Sequence, residues 1–423
     1  MSKSLVVNTD SMLLLKDRES IIESYDSLIF NCDSILISDE MYAKALAANA
    51  VINCDNMNVI KTPQNPVRVN GLLTIDANSD YIDCFVVCDN VHITAEGAAA
   101  IAKMEGMAVL GTLYHPQSMG GALSTVRASS VVAYPDDARL VVGDAHLSMQ
   151  NLGKWRRDTK YFLSRTVFAL EEEVLRAMKA QNTSFFCKKL YLYQKDVEEF
   201  GNLFSADNVQ LVPDGHAVAE RSATLMDLYA AHGERIYLLD DVTVQPRDVR
   251  HLPLLQSLIV KGTAHLPMEH LRACKEVIEA DAVHVFEGEL MGINGFAAIS
   301  HAMLAAANAN GICYTLNVNG VALFEEDVTY EDVKAIASIR RINGAISAPG
   351  VTHAHLNAVA EKINGALLGS LSEIRAMIEA MPGEAGTMFG QALPGPIAKM
   401  LGIVKEEREG NSAVINSDSY TLM

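Results

Sequence analysis

The sequence predicts an α/β repeat solenoid, made of stacked strand–corner–strand–helix coils that share a parallel β-sheet. Three observations predict it. A short phrase, two apolar runs separated by Asn, Asp or Gly, recurs along the chain. Its strict copies keep regular spacing, with Asn31 to Asn53 at 22 residues, Asn319 to Asn343 at 24 and Asn343 to Asn364 at 21. Helix-like segments lie between many of the copies. Repetition at periods of roughly 20–50 residues is the mark of stacked arrays.

In chain order, the phrase opens as VVNTDSMLLL (6–15) and returns as IFNCDSILI (29–37), VINCDNMNVI (51–60), VRVNGLLTI (67–75) and FVVCDNVHI (85–93). Weaker copies follow in MAVLGTLYH and RLVVGDAHL. It resumes as YLLDDVTV (237–244), LIVKGTAHL (258–266), VHVFEGEL (283–290), LNVNGVALF (316–324), RRINGAISA (340–348) and KINGALLG (362–369), and closes as VINSDSYTL (414–422). The flanks are rich in Val, Ile and Leu with partial period-two alternation, as strands require. Asn, Asp and Gly tolerate positive φ and bond their own backbone, which suits a sharp corner. The spacers DEMYAKALAANA, AEGAAAIAKMEG, QPRDVRHLPLLQ, PMEHLRACKEVIEAD, YEDVKAIAS and THAHLNAVAE read as helices. A hairpin-rich mixed α/β fold is the competing reading, because Asn-Gly is also the favoured two-residue hairpin turn. The helical spacers favour stacking, since parallel strands need a long return connection.

Along the chain, residues 1–150 form N-terminal solenoid repeats and 235–381 C-terminal ones. The stretch 151–234 reads as a mainly helical insert or as irregular coils. Within it, Leu163, Val167, Leu170, Val174 and Met178 recur at helical spacing and predict one amphipathic helix. KKLYLY and NVQLV read as short strands, and ERSATLMDLYAAHG contains another helix. Residues 382–423 read as a flexible tail ending in a strand, broken early by the Gly and Pro of PGEAGTMFGQALPGP. Phrases at both ends make both termini strands of one kind of sheet. The last one is expected to fold back onto its own array or to add to a neighbouring chain.

The stretch LPLLQSLIVKGTAHLPMEHL (252–271), with Leu255, Leu258, Val260, Leu266, Pro267 and Leu271, resembles a degenerate leucine-rich repeat. A glycine stands where that family usually has its turning Asn, and the likeness covers one or two units. What the resemblance implies is a curved solenoid with a protein-binding surface and no catalytic residues.

Composition narrows the function classes. A formal charge of −18 argues against nucleic acid or an anionic membrane as partner, since both are polyanions. The Ala-rich GFAAISHAMLAAANANG carries His301, Asn308 and Asn310 and reads as a buried helix, not a bilayer span. Seven cysteines with no CxxC pair and no leader-like start point to free thiols and a cytoplasmic location.

Candidate sites are few. Cys32, Cys54 and Cys88 sit beside Asp33, Asp55 and Asp89 at matching places in their phrases. Such a column is either a thiolate–carboxylate metal site or a set of buried thiols beside turn-forming acids, and the second reading is preferred. His353 with His355, and His265 with His270, lack a third ligand at motif spacing. Glu325, Glu326 and Asp327 read as loop or cap charges. The basic and aromatic KWRRDTKYFLSR gives the candidate partner-binding residues Lys154, Trp155, Arg156, Arg157 and Lys160, which face a phosphate-bearing or acidic partner or else form a solvated helix start with the aromatics tucked under it. No catalytic, cofactor-binding or metal residue is assigned. The sequence therefore predicts a non-enzymatic scaffold for protein–protein interaction, including self-association through terminal strands. The alternative is an enzyme or small-ligand binder with its site in 151–234 or on a solenoid face.

Overall fold

The computed structural model describes residues 3–16, 21–380 and 412–422. The fold is mixed α/β, with five sheets among the described residues and their strands running mostly parallel. Two compact units hold them: Met1–Gln210 with Arg408–Met423, and Leu211–Glu407.

The first unit begins with β1 (Ser4–Leu14), β2 (Ser27–Ser38), α1 (Asp39–Ala47) and β3 (Val51–Ile60). The second sheet follows with β4 (Pro66–Ile75), β5 (Phe85–Ile93), α2 (Ala98–Ile101), β6 (Gly106–Pro116) and β7 (Val126–Tyr134). The third has β8 (Ala138–Val141), β9 (Ala145–His146), β10 (Lys160–Ala169), α3 (Glu172–Ala180), β11 (Ser184–Tyr193), α4 (Val197–Phe200) and β12 (Phe204–Val212). In the second unit, the fourth sheet has β13 (Ala217–Ala219), α5 (Leu225–His232), β14 (Arg235–Leu238), β15 (Val242–Thr243), β16 (Ser257–Pro267), α6 (Leu271–Val277) and β17 (Ile278–Phe286). The fifth has β18 (Glu289–Ile299), α7 (His301–Ala309), β19 (Tyr314–Phe324), β20 (Ile336–Ser347), α8 (His353–Ala358) and β21 (Ala366–Leu368), followed by α9 (Leu371–Ala380). The last strand, β22 (Ser412–Leu422), belongs to the first sheet, whose order is β22-β1-β2-β3.

Within a sheet, successive strands are joined mostly by a helix or a 3-10 turn, the return connection that parallel pairing demands. β1 lies parallel to β2, and β2 to β3, with Asn8 opposite Asn31 and Asn31 opposite Asn53. β18, β19 and β20 repeat this, placing Asn294, Asn319 and Asn343 in one row. These parallel registers exclude hairpins for the pairs they describe. From the first sheet to the fifth, the connections between consecutive sheets are short and carry no helix (residues 61–65, 135–137, 213–216 and 287–288), whereas α9 lies between β21 and β22.

Each sheet closes over a core of its own. In the first, Val7, Phe30, Ile37 and Met41 are buried, so one face of the strands packs on α1. In the third, Tyr161, Leu163, Val167 and Phe185 pack on Val174, Leu175 and Met178 of α3. Ile236, Leu258 and Val260 serve the fourth sheet, and Leu316, Val318, Phe324 and Ile346 the fifth. Burying one such side chain is worth about 1.5–3 kcal/mol, so a sheet that stacks several copies gains what no single copy could. Three helices, α1, α5 and α7, start at a Ser or Thr whose side chain caps them. Ser38 accepts from the Met41 amide at 3.2 Å and donates to the Leu15 carbonyl at 2.8 Å, tying a helix start to the neighbouring strand.

Several expectations need correction. The helical run expected over Leu163, Val167, Leu170, Val174 and Met178 is a strand up to Ala169, and the helix starts only at Glu172. A register shift between Leu163 and Thr166 inserts an extra residue into β10. Leu163 and Val167 both face the core, and their four-residue spacing is two strand periods as well as about one helical turn. The helix expected through Asp281 ends at Val277, and β17 takes the rest. The corner is not always a break between two strands either. β1, β2, β3, β18, β19 and β20 run straight through it, whereas β8/β9 and β14/β15 are split. Of the tail expected after residue 381, residues 381–411 lie outside the described residues.

Candidate functional site

The basic segment Lys154–Lys160 leads from a 3-10 turn (Met149–Lys154) into β10. Trp155 is the one large apolar residue in it, and it folds inward. Its indole meets Tyr161 edge-on at 4.9 Å and Phe185 at 5.4 Å, and only 8% of its surface remains exposed. Of the five residues expected to meet a partner, Trp155 is therefore a core residue. Tyr161 fixes the loop, because its hydroxyl accepts from the Arg156 amide at 2.8 Å. The Thr183 hydroxyl donates to the Arg156 carbonyl at 3.1 Å.

This wiring turns the charged side chains outward. Lys154, Arg156, Arg157 and Lys160 are all exposed. Lys160 pairs with Asp137 at 2.6 Å, and Arg157 approaches Asp158 at 4.0 Å. Exposed pairs of this kind contribute little stability and leave the cations available to solvent or a partner. Beside them lies an open hollow of about 440 Å³ lined by Trp155, Arg157, Ala177, Ala180 and Gln181. Two buried atoms of its lining residues, the Trp155 Nε1 donor and the Gln181 Oε1 acceptor, have no hydrogen-bond partner among the described residues. The hollow offers an apolar floor, a cationic rim and two unspent polar atoms behind it.

The other constellations resolve into packing. Cys32 lies opposite Cys54, but Cys88 belongs to the second sheet and faces Val69 and Val109. The three cysteines form no single column. Burial, with Cys54 and Asp33 adding to it, pushes the Cys32 thiol up to about 11, and burial pushes Cys88 up to about 12. Burial thus favours the neutral thiol at both positions. Among the described residues no group of three or more His, Cys, Asp or Glu is arranged to hold a metal ion. His353 reaches the carbonyls of Ala348 and Leu368 through Nε2 at 2.9 and 3.1 Å, and His355 that of Ile336 at 2.9 Å. His265 accepts from Arg340 at 3.1 Å and packs on the His284 ring, at 5.3 Å between centroids. Glu326 receives the amide and hydroxyl of Ser372 at the start of α9, the cap role expected of that acidic run.

One polar cluster escaped the sequence reading. Asp332 accepts the amide and hydroxyl of Thr329, both at 2.7 Å, and meets His301 Nδ1 at 2.8 Å. The signal for it was the Thr329-x-x-Asp332 spacing of a helix-start box. Burial works to raise the Asp332 carboxyl, yet the bonds from Thr329 and His301 outweigh it and leave the group below its ordinary range. The same contact raises His301.

Among the described residues no helix is long and apolar enough to cross a membrane. Comparison with known proteins finds no matching family model, no matching curated protein and no matching solved structure.

Proposed function

We propose that the chain is a non-enzymatic solenoid scaffold, built of strand–corner–strand–helix coils, that binds other proteins and copies of itself. The observation that carries this reading is the condition of the outer strands. β3, β7, β12 and β17 each end a sheet, and each leaves a valine in solvent: Val51, Val131, Val209 and Val283 are 40–57% exposed. A long outer strand with bare amides and apolar side chains is a pairing template. The charge of −18 favours neutral or basic protein partners, while Lys154, Arg156 and Arg157 form a local exception suited to an acidic segment.

Light scattering on the full chain, with cross-linking to map contacts, tests the reading. The expected result is a mass above the 45.9 kDa of one chain, with cross-links on outer strands. A single-chain mass at every concentration would remove self-association. The hollow beside Trp155 favours a second reading, a small anionic or amide-bearing ligand. That reading predicts a compound whose stabilisation of the protein disappears in Arg157→Ala.

A further inference from the structure

The first sheet is completed from both ends of the chain. β22 lies parallel to β1, with Ser4 opposite Ser412, Asn8 opposite Asn416 and Leu14 opposite Leu422. Among the described residues its two outer strands are β22 and β3. They carry nearly the same words: AVINSD at 413–418 and AVINCD at 50–55.

We propose that the outer edge of β3 in one copy of this chain pairs with the outer edge of β22 in the next, in parallel, with Asn53 opposite Asn416. The inference rests on the scaffold reading and names the partner and the register. Its physical basis is translation. In a parallel sheet each strand is carried onto its neighbour by one shift of about 4.8 Å, so the donors and acceptors bared on one outer edge match those bared on the other. Antiparallel sheets have no such guarantee. The side chains agree with the backbone. Asn31 donates to Asn8 at 2.7 Å and Asn53 to Asn31 at 2.8 Å, so the asparagine row stops at Asn53 with its amide oxygen facing outward along the row. A neighbouring Asn416 continues it. Val51, Met57 and Val59 on β3 are 50%, 39% and 48% exposed, and a fifth strand gives them neighbours.

Two different patches meet in this contact, so it is head-to-tail, and it extends without closing unless a rotation closes it. Asp10, Asp33 and Asp55 lie exposed at the same place in successive strands, and each junction brings another carboxylate into line. Such like charges oppose growth, and salt screens them.

The test is sedimentation velocity on the full chain over a concentration series, at low and high salt. Beside it run the variants Val51→Lys/Met57→Lys/Val59→Lys and, as a control at an exposed valine off any strand, Val351→Lys in the turn Gly350–Thr352. The expected result is an average mass that climbs with concentration, without a plateau at a dimer, and climbs further in high salt. The triple variant should need at least about tenfold more protein for the same mass, with an unchanged circular dichroism melt, while Val351→Lys matches wild type. A wild-type chain that stays single overturns both this inference and the self-association it rests on. Assembly that survives the triple variant, or stops at a discrete dimer, overturns this inference alone. Should the triple variant melt early, Val51→Lys by itself is read in the same way.

Discussion

The fifth and fourth sheets stack the same kind of segment and solve the corner differently. In the fifth, every corner is Asn-Gly. Asn319 donates to Asn294 at 3.3 Å and Asn364 to Asn343 at 3.2 Å, and the glycines pile directly on one another. A methyl group on Gly320 would strike the Gly295 carbonyl oxygen, and one on Gly344 the Gly320 carbonyl oxygen, while φ is +144° and +138° at the two sites. In the fourth sheet the register slips between Val260 and Thr263, and the Asp241 carboxylate reaches across to accept the Thr263 amide at 2.6 Å. The third sheet does the same with Asp144 and Thr166, and the second with Asn90 and Thr112, both at 2.9 Å. One design holds the corner by a row of amides in register, bonded in the pairs Asn319–Asn294 and Asn364–Asn343. The other inserts a residue and caps the opened backbone with a side chain from the neighbouring strand. The comparison teaches that a row of Asn side chains accompanies corners where strands stay in step, whereas a single Asp or Asn carboxyl or amide oxygen caps the backbone where they slip.

The largest way to break this contrast is Gly344→Ala. Positive φ and the carbonyl collision act together, so the substitution should cost about 3 kcal/mol or more in urea denaturation. Gly292→Ala, where an added Cβ meets nothing, is expected to change stability much less. Next comes the amide row of the first sheet. Asn31 both donates and accepts along it, so Asn31→Ala should cost about 2 kcal/mol, against about 0.5–1 kcal/mol for the terminal Asn53→Ala. Equal losses at the two positions would mean that the row is not cooperative. At the slipped corners, Asp241→Ala and Asp144→Ala each expose one amide and should lose about 1–2 kcal/mol. Hydrogen exchange should quicken at Thr263 and Thr166 while the asparagine rows stay protected.

A smaller effect is expected from pH. His301 is raised by Asp332, so its share of the pair is full below the unfolded histidine range and fades as pH rises through its folded value. Asp332 is depressed, so its share is present above the ordinary 3.8 and fades as pH falls through its folded value. The pair therefore helps most between about pH 4 and 6.5. Asp332→Asn should destabilise more at about pH 5.5 than at about pH 9, and equal losses would show that Thr329 alone holds the carboxylate. The smallest expected signal is chemical. Cys187 is pushed by burial, with Asp207 adding to it, up to about 12, and Cys274 by burial to about 11. Neither should be alkylated in the native protein at mildly alkaline pH, and labelling of Cys187 before unfolding would contradict its burial.

Much of this was legible in the sequence. The Asn rows follow from spacing alone, and so does the parallel direction, because helices between copies leave no room for hairpins. The bulges were hidden because an inserted residue breaks the alternation without a signal of its own, and the step from Leu163 to Val167 fits strand and helix alike. The grouping into separate sheets was hidden for another reason. Phrases such as VHVFEGEL span the end of β17 and the start of β18, so a single copy on paper is two strands of different sheets. Charge placed Arg156 and Arg157 outside, but no pattern in KWRRD shows that Trp155 turns inward to meet Tyr161 and Phe185.

The pairing of Ser412–Leu422 with Ser4–Leu14 also has a temporal side. A ribosome makes β1 long before β22, so through the synthesis of the intervening strands β1 has β2 on one side and an open edge on the other. Only once residues 412–422 have emerged is that rung supplied, and termination upstream of them delivers a product that never acquires it.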